Sequence, residues 1–175
     1  MTNLLRNTAL ATAAALALAA TPASAAPTNP DQNATATVRI VKPLTLLFVQ
    51  NLNLGTVLMT GTGTWGGAAV GIAYNGTTVS CTSTNVACSG AVQVAKYKVT
   101  GTNNQRVYIT APNFNLTNAN DGATLPFTVD KGPGYVDLAN SGTSGVEFGL
   151  GGSVTVASTT TDGVYTGTFN VTVDY

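Results

Sequence analysis

Histidine is absent from the 175 residues. With it go the usual general base, the Ser-His and Cys-His nucleophile pairs and the commonest metal ligand. Charge is scarce too: 8% of residues are Asp, Glu, Lys or Arg, against ~25% in ordinary soluble domains. Thr, Asn, Ser and Gly fill the polar positions instead. Glu147 is the only glutamate, the other acids are scattered, and no carboxylate pair is local in sequence. An enzyme is not expected from this inventory, and neither is a cofactor. No apolar run reaches the ~20 residues of a membrane helix. After residue 25 no segment carries a 3.6-residue apolar period, so little or no helix is expected.

The N-terminus has Arg6, an Ala/Leu run over residues 9–20 and then Thr21-Pro22-Ala23-Ser24-Ala25. This is the layout of a secretory signal with a small-x-small cleavage site, which predicts cutting after Ala25. Residues 26–175 then fit one domain with six basic and seven acidic side chains, a net charge of −1. Such a balance attracts neither nucleic acid nor an anionic membrane. Residues 26–33 hold two prolines and no large apolar group, and read as a leader ahead of a single domain over 34–175.

Cys81 and Cys88 are the only cysteines, with six residues between them. In an oxidising compartment that spacing predicts a local disulfide, joining neighbouring strands or lying at one end of the fold. It has neither the two-residue spacing of redox motifs nor a His ligand.

Ala34, Ala36, Val38 and Ile40 alternate with Thr35, Thr37 and Arg39, which predicts a strand. Lys42-Pro43 interrupts the pattern before Leu44, Leu46 and Phe48 resume it. Further strands are expected over 54–59, 69–74, 91–100, 106–111, 125–129, 146–150 and 153–157, with Gly-, Asn- and Asp-rich turns between them. Gly149-Leu150-Gly151-Gly152 lacks the context of a phosphate or dinucleotide loop and reads as a tight connection. Asn118-Ala-Asn-Asp-Gly122 is oxygen-rich like the start of a calcium loop but lacks the bidentate Glu, so a turn is expected. Trp65, among glycines 61, 63, 66 and 67, reads as a core residue rather than a sugar-stacking platform. The clearest alternation is the last: Tyr165, Gly167, Phe169, Val171, Val173 and Tyr175 fall on one face of a strand in which the chain ends. The regular spacing of short strands predicts an all-β fold, an antiparallel β-sandwich of immunoglobulin-like plan, with a closed barrel as the alternative.

Several segments resemble a family of secreted bacterial domains called domain of unknown function 4402. They are Ala36-Thr-Val-Arg-Ile-Val-Lys-Pro-Leu-Thr-Leu46, Leu52-Asn-Leu-Gly-Thr-Val57, Ala95-Lys-Tyr-Lys-Val-Thr-Gly101, Val107-Tyr-Ile-Thr-Ala-Pro112, Val146-Glu-Phe-Gly-Leu-Gly-Gly152 and Gly163-Val-Tyr-Thr-Gly-Thr-Phe-Asn-Val-Thr-Val-Asp-Tyr175. Leu54 stands where the family usually has an aromatic. The resemblance implies export and a β fold but no active site. A weaker likeness to chaperone–usher pilins and spore-coat-protein-U-like domains implies assembly by strand addition, with copies of the chain or a periplasmic chaperone as partners. Tyr165, Phe169, Val171, Val173 and Tyr175 then mark the candidate assembly strand.

Three functions compete. The first is a structural or adhesive subunit of a surface filament or coat, for which only residues 34–40 could act as an exchanged strand. The second is a self-contained secreted module for glycans or surface ligands, using Trp65 or loop tyrosines. The third is a small outer-membrane barrel, whose C-terminal signal the aromatic last strand resembles. Fractionation and negative-stain imaging of the host separate them.

Overall fold

The computed structural model describes residues 33–139 and 144–175. The predicted signal, and all of the leader but Asn33, lie outside these residues. Arg39–Tyr175 form a compact unit. It holds β1 (Thr45–Gln50), β2 (Thr56–Met59), β3 (Ala68–Ile72), β4 (Ser80–Cys81), β5 (Val86–Ser89), β6 (Ala95–Thr100), β7 (Gln105–Thr110), β8 (Phe114–Asn118), β9 (Thr124–Asp130), β10 (Tyr135–Leu138), β11 (Val146–Val156), β12 (Tyr165–Thr166) and β13 (Thr172–Asp174). The described residues contain no helix, as expected.

The strands pair antiparallel. The large sheet runs β1-β6-β11-β9-β8-β12, with β3 beside the second half of β11 and β4 beside β3. A three-stranded sheet, β10-β7-β13, and a ribbon, β2-β5, complete the set. The core follows the period-two rule for strand faces. One cluster joins Ala95, Val99, Phe148 and Leu150 of the large sheet to Val107, Ile109 and Leu138 of the three-stranded sheet. The other joins Ala68, Val70, Phe127, Val154 and Val156 to Val86 of the ribbon, with Val57 packed alongside. Val70, Val99, Val107, Leu138 and Leu150 are fully buried, each stabilising by ~1.5–3 kcal/mol. The architecture is sandwich-like, and its sheets are open rather than closed into a barrel: β1 and β12 end the larger one.

Two expectations are overturned. Residues 34–40 form no strand, and every residue from 33 to 43 is exposed. Alternation makes a strand possible, but a strand forms only where a partner offers ladder hydrogen bonds. The Gly149-Leu-Gly-Gly152 segment is likewise no connection, for it lies inside the 11-residue β11. A Cβ on Gly151 would collide with the Ile72 carbonyl, and one on Gly149 with that of Tyr74. The glycines let the chain after β3 pass directly over the outer face of β11, a use of strand glycine that periodicity does not reveal. The short strands β4, β5, β8 and β10 were not foreseen.

Candidate functional site

The predicted disulfide is present. Cys81 lies opposite Val70 in β3, and Cys88 lies opposite Val57 in β2. The bond, with Cα atoms 6.2 Å apart, therefore ties the β3-β4 edge of the large sheet to the ribbon. Both cysteines pack against the second core cluster. The position at the junction of neighbouring strands is the expected one.

The C-terminal segment keeps its predicted alternation: Tyr165, Phe169, Val171, Val173 and Tyr175 are half-buried, while Thr166, Thr168, Asn170, Thr172 and Asp174 are exposed. Gly167 breaks the pattern by being exposed. It is not one strand, however, but two short ones. β12 pairs with β8 through Tyr165 and Asn118, and β13 pairs with β7 through Val173 and Ile109. Residues 167–171 belong to no ladder between them. β7 lies in the three-stranded sheet and β8, which starts four residues after its end, in the large one, and the C-terminal segment pairs with each in turn, passing from one sheet to the other.

Each of its side chains has a definite task. The Tyr165 hydroxyl donates to the Thr161 carbonyl at 2.9 Å. Phe169 stacks on Phe114 with ring centroids 4.9 Å apart, and Phe114 meets the buried Phe127 at the same spacing. Val171 and Val173 pack against the first cluster. The Tyr175 hydroxyl donates to the Lys42 carbonyl at 2.6 Å and accepts from the Thr102 N–H at 2.7 Å. The Thr102 hydroxyl in turn accepts from the Lys42 N–H at 2.6 Å. The last residue thus fixes the chain just ahead of β1.

The edge it fixes is apolar and open. In β1, Leu46 and Phe48 lie opposite Val99 and Tyr97 of β6, and Val99 is a fully buried core residue, so this is the core-facing side. Yet Phe48 is 52% exposed and Leu46 only half-buried. On the other face Leu47 is 63% exposed. Just upstream, Val38 and Ile40 are 81% and 83% exposed. The sequence reading placed Leu44, Leu46 and Phe48 on an inward face, but had no signal that their outer flank lacks a neighbour.

The remaining polar features are structural. Asn118, 2% exposed, donates to the Asp162 carbonyl at 2.9 Å and accepts from the Asn120 N–H at 2.9 Å, holding the predicted turn at 118–122. In that turn a backbone bond from Ala123, then the Thr161 hydroxyl, keep the Asp121 carboxyl below its ordinary range. Arg106 holds Asp137 low through a hydrogen bond at 2.8 Å and lies 3.8 Å above the Tyr135 ring. Burial pushes the Tyr97 hydroxyl up. Trp65 packs against the second cluster, in keeping with the core assignment. An open cleft of about 560 Å³ is lined by Gln50, Tyr74, Lys96, Lys131, Tyr135 and Glu147, among others. Among the described residues no group of three Cys, Asp or Glu converges, and no helix is long and apolar enough to cross a membrane.

An open-edged, antiparallel β-sandwich with one internal disulfide is the class that this geometry defines. Residues 44–175 match the family described as Domain of unknown function (DUF4402), and the chain belongs to that family. The match begins at Leu44, so the exposed stretch at 34–41 precedes it. No curated protein and no solved structure matches the chain.

Proposed function

We propose that this is an exported, non-enzymatic structural or adhesive protein that works at the bacterial cell surface as a subunit of a filament or coat. The observation carrying the proposal is the apolar, uncharged open edge at β1, with exposed Leu47, Phe48 and Val49, in a weakly charged chain that opens on a secretory signal pattern. Monomeric proteins normally blunt such edges with charge, proline, a β-bulge or a covering segment, and of these β1 shows, among the described residues, only the irregularity between Phe48 and Gln50. A protein that keeps one has a use for it.

Fractionation of the native host, with immunogold labelling, tests this. The expected result is protein of mature mass, beginning at Ala26, in the envelope or on surface structures. Recovery of a cytoplasmic chain still carrying Met1 refutes it. The cleft bearing Tyr74, Tyr135, Lys96, Lys131 and Glu147 favours a second reading, a binding module for glycans or other surface ligands, whose aromatic and charged groups would orient a polar ligand. Glycan-array binding lost on Tyr74→Ala supports that alternative. The outer-membrane barrel is disfavoured, since every strand but β11 falls short of the ~9–11 residues that a membrane strand needs.

A further inference from the structure

We infer that residues 34–41 of a second copy of this chain add as a strand to the free edge of β1, with Ala34, Ala36, Val38 and Ile40 turned inward. The inference rests on the surface-assembly reading above and names the contact that performs it.

The edge is singled out by comparison with the others. β12 has two residues and β13 three, one of them Asp174; β10 carries Asp137 in its pair with Arg106. β2 has four residues. β1 has six, Thr-Leu-Leu-Phe-Val-Gln, with neither charge nor proline and one irregularity between Phe48 and Gln50, and among the described residues it pairs only with β6. Its core-facing side is incompletely covered, as the half-exposed Phe48 shows. An added strand supplies both missing elements: backbone partners for the free N–H and C=O groups, and inward side chains beside Leu44, Leu46 and Phe48.

The occupant follows from the same page. Residues 34–41 are exposed throughout and outside any ladder, and they alternate small or branched apolar groups with Thr35, Thr37 and Arg39. At 3.2–3.4 Å per residue, eight residues span ~26 Å, enough to cover a six-residue edge. A two-residue hairpin turn is not available to lay them on their own edge. A two-residue turn of the favoured kind needs φ > 0, and Val41, Lys42, Pro43 and Leu44 include no Gly, Asn or Asp. Pro43 also biases Lys42 towards extended backbone, and Lys42 is held at both its N–H and its carbonyl. The stretch therefore suits a neighbour's edge.

Complementation between two variants tests this with the purified exported protein. One variant, Val38→Asp with Ile40→Asp, spoils the added strand; the other, Phe48→Lys, puts an inward charge on the receiving edge. The native protein is expected to self-associate in sedimentation equilibrium, each variant to weaken association roughly tenfold or more, and the two mixed to form a 1:1 pair. In the pair the intact arm of the Phe48→Lys chain occupies the intact edge of the other. Thr35→Asp with Thr37→Asp, on the outward face, should leave association unchanged. Circular dichroism verifies that each variant is folded, and Phe48→Thr, at the same inward position, replaces Phe48→Lys if the latter unfolds. A native protein monomeric at its solubility limit, variants that associate like the native protein, or a mixture that stays monomeric overturns the inference. Surface labelling with a failed mixing experiment would sink this contact alone; successful mixing of a protein found only in the cytoplasm would sink the surface role instead.

Discussion

Replacing Gly151 by Ala puts a single methyl group where the chain after β3 passes over β11. The new Cβ would overlap the Ile72 carbonyl and stand 2.6 Å from the Ala73 carbonyl carbon and 2.7 Å from the Tyr74 N. All three are backbone atoms, so no rotamer change relieves the contact, and either β3 or β11 must shift. Forced packing of this kind costs ~1–3 kcal/mol. The lower unfolded-state entropy of Ala returns about 0.4–1 kcal/mol, leaving a net loss of up to roughly 2.6 kcal/mol. At about 3 °C per kcal/mol for a domain of this size, Tm should fall by up to roughly 8 °C in a thermal melt followed by circular dichroism. Gly66→Ala is the control, since a Cβ there meets nothing within 4 Å. It should be neutral or slightly stabilising. If the two variants melt together, the chain does not cross β11 at Gly151, and the account of the glycine-rich segment is wrong.

Ser substitution of both Cys81 and Cys88 should cost ~2–3 kcal/mol on the chain-entropy model yet leave the β spectrum intact, as the two core clusters remain; a denaturant melt unchanged from the native protein would show that the bond carries no stability. Asn118→Ala should cost ~1 kcal/mol, because it removes the hydrogen bonds that the buried Asn118 side chain makes to the Asn120 N–H and the Asp162 carbonyl, and protease sensitivity at 118–122 should rise with it. Asp121 and Asp137 have folded values lowered by their hydrogen bonds. Their contribution is present above the ordinary carboxylate value of ~3.9 and is lost as pH falls through the lowered folded values. Stability measured by denaturant between about pH 2 and 5 should therefore decline with acid, and Arg106→Gln should make the decline shallower; an identical slope would rule out the Arg106–Asp137 contribution.

Much of the fold is legible from alternation. The strands β6, β7 and β9 fall close to the expected runs at 91–100, 106–111 and 125–129, because short apolar runs bounded by Gly, Asn and Asp read as strands. The C-terminal alternation likewise placed Tyr165, Phe169, Val171, Val173 and Tyr175 on the packed side. Its division into β12 and β13 was not legible, since it depends on β7 and β8 lying in different sheets. The four unforeseen strands have two to five residues, too few for a period to register. The open edge at β1 was hidden for another reason: Leu46 and Phe48 carry the same pattern whether their flank is covered or bare.

The sequence by itself determined the β class, the local disulfide, the absence of a histidine-based site and the family, because these depend on composition, spacing and residue order. Tertiary structure alone decided that Gly149 and Gly151 mark a crossing, that Tyr175 holds the chain ahead of β1, and that residues 34–41 stand outside the sheets. Each of these is a relation between segments far apart in sequence. A strand's pattern says which face wants burial, but only its neighbours determine whether the backbone edge is already occupied.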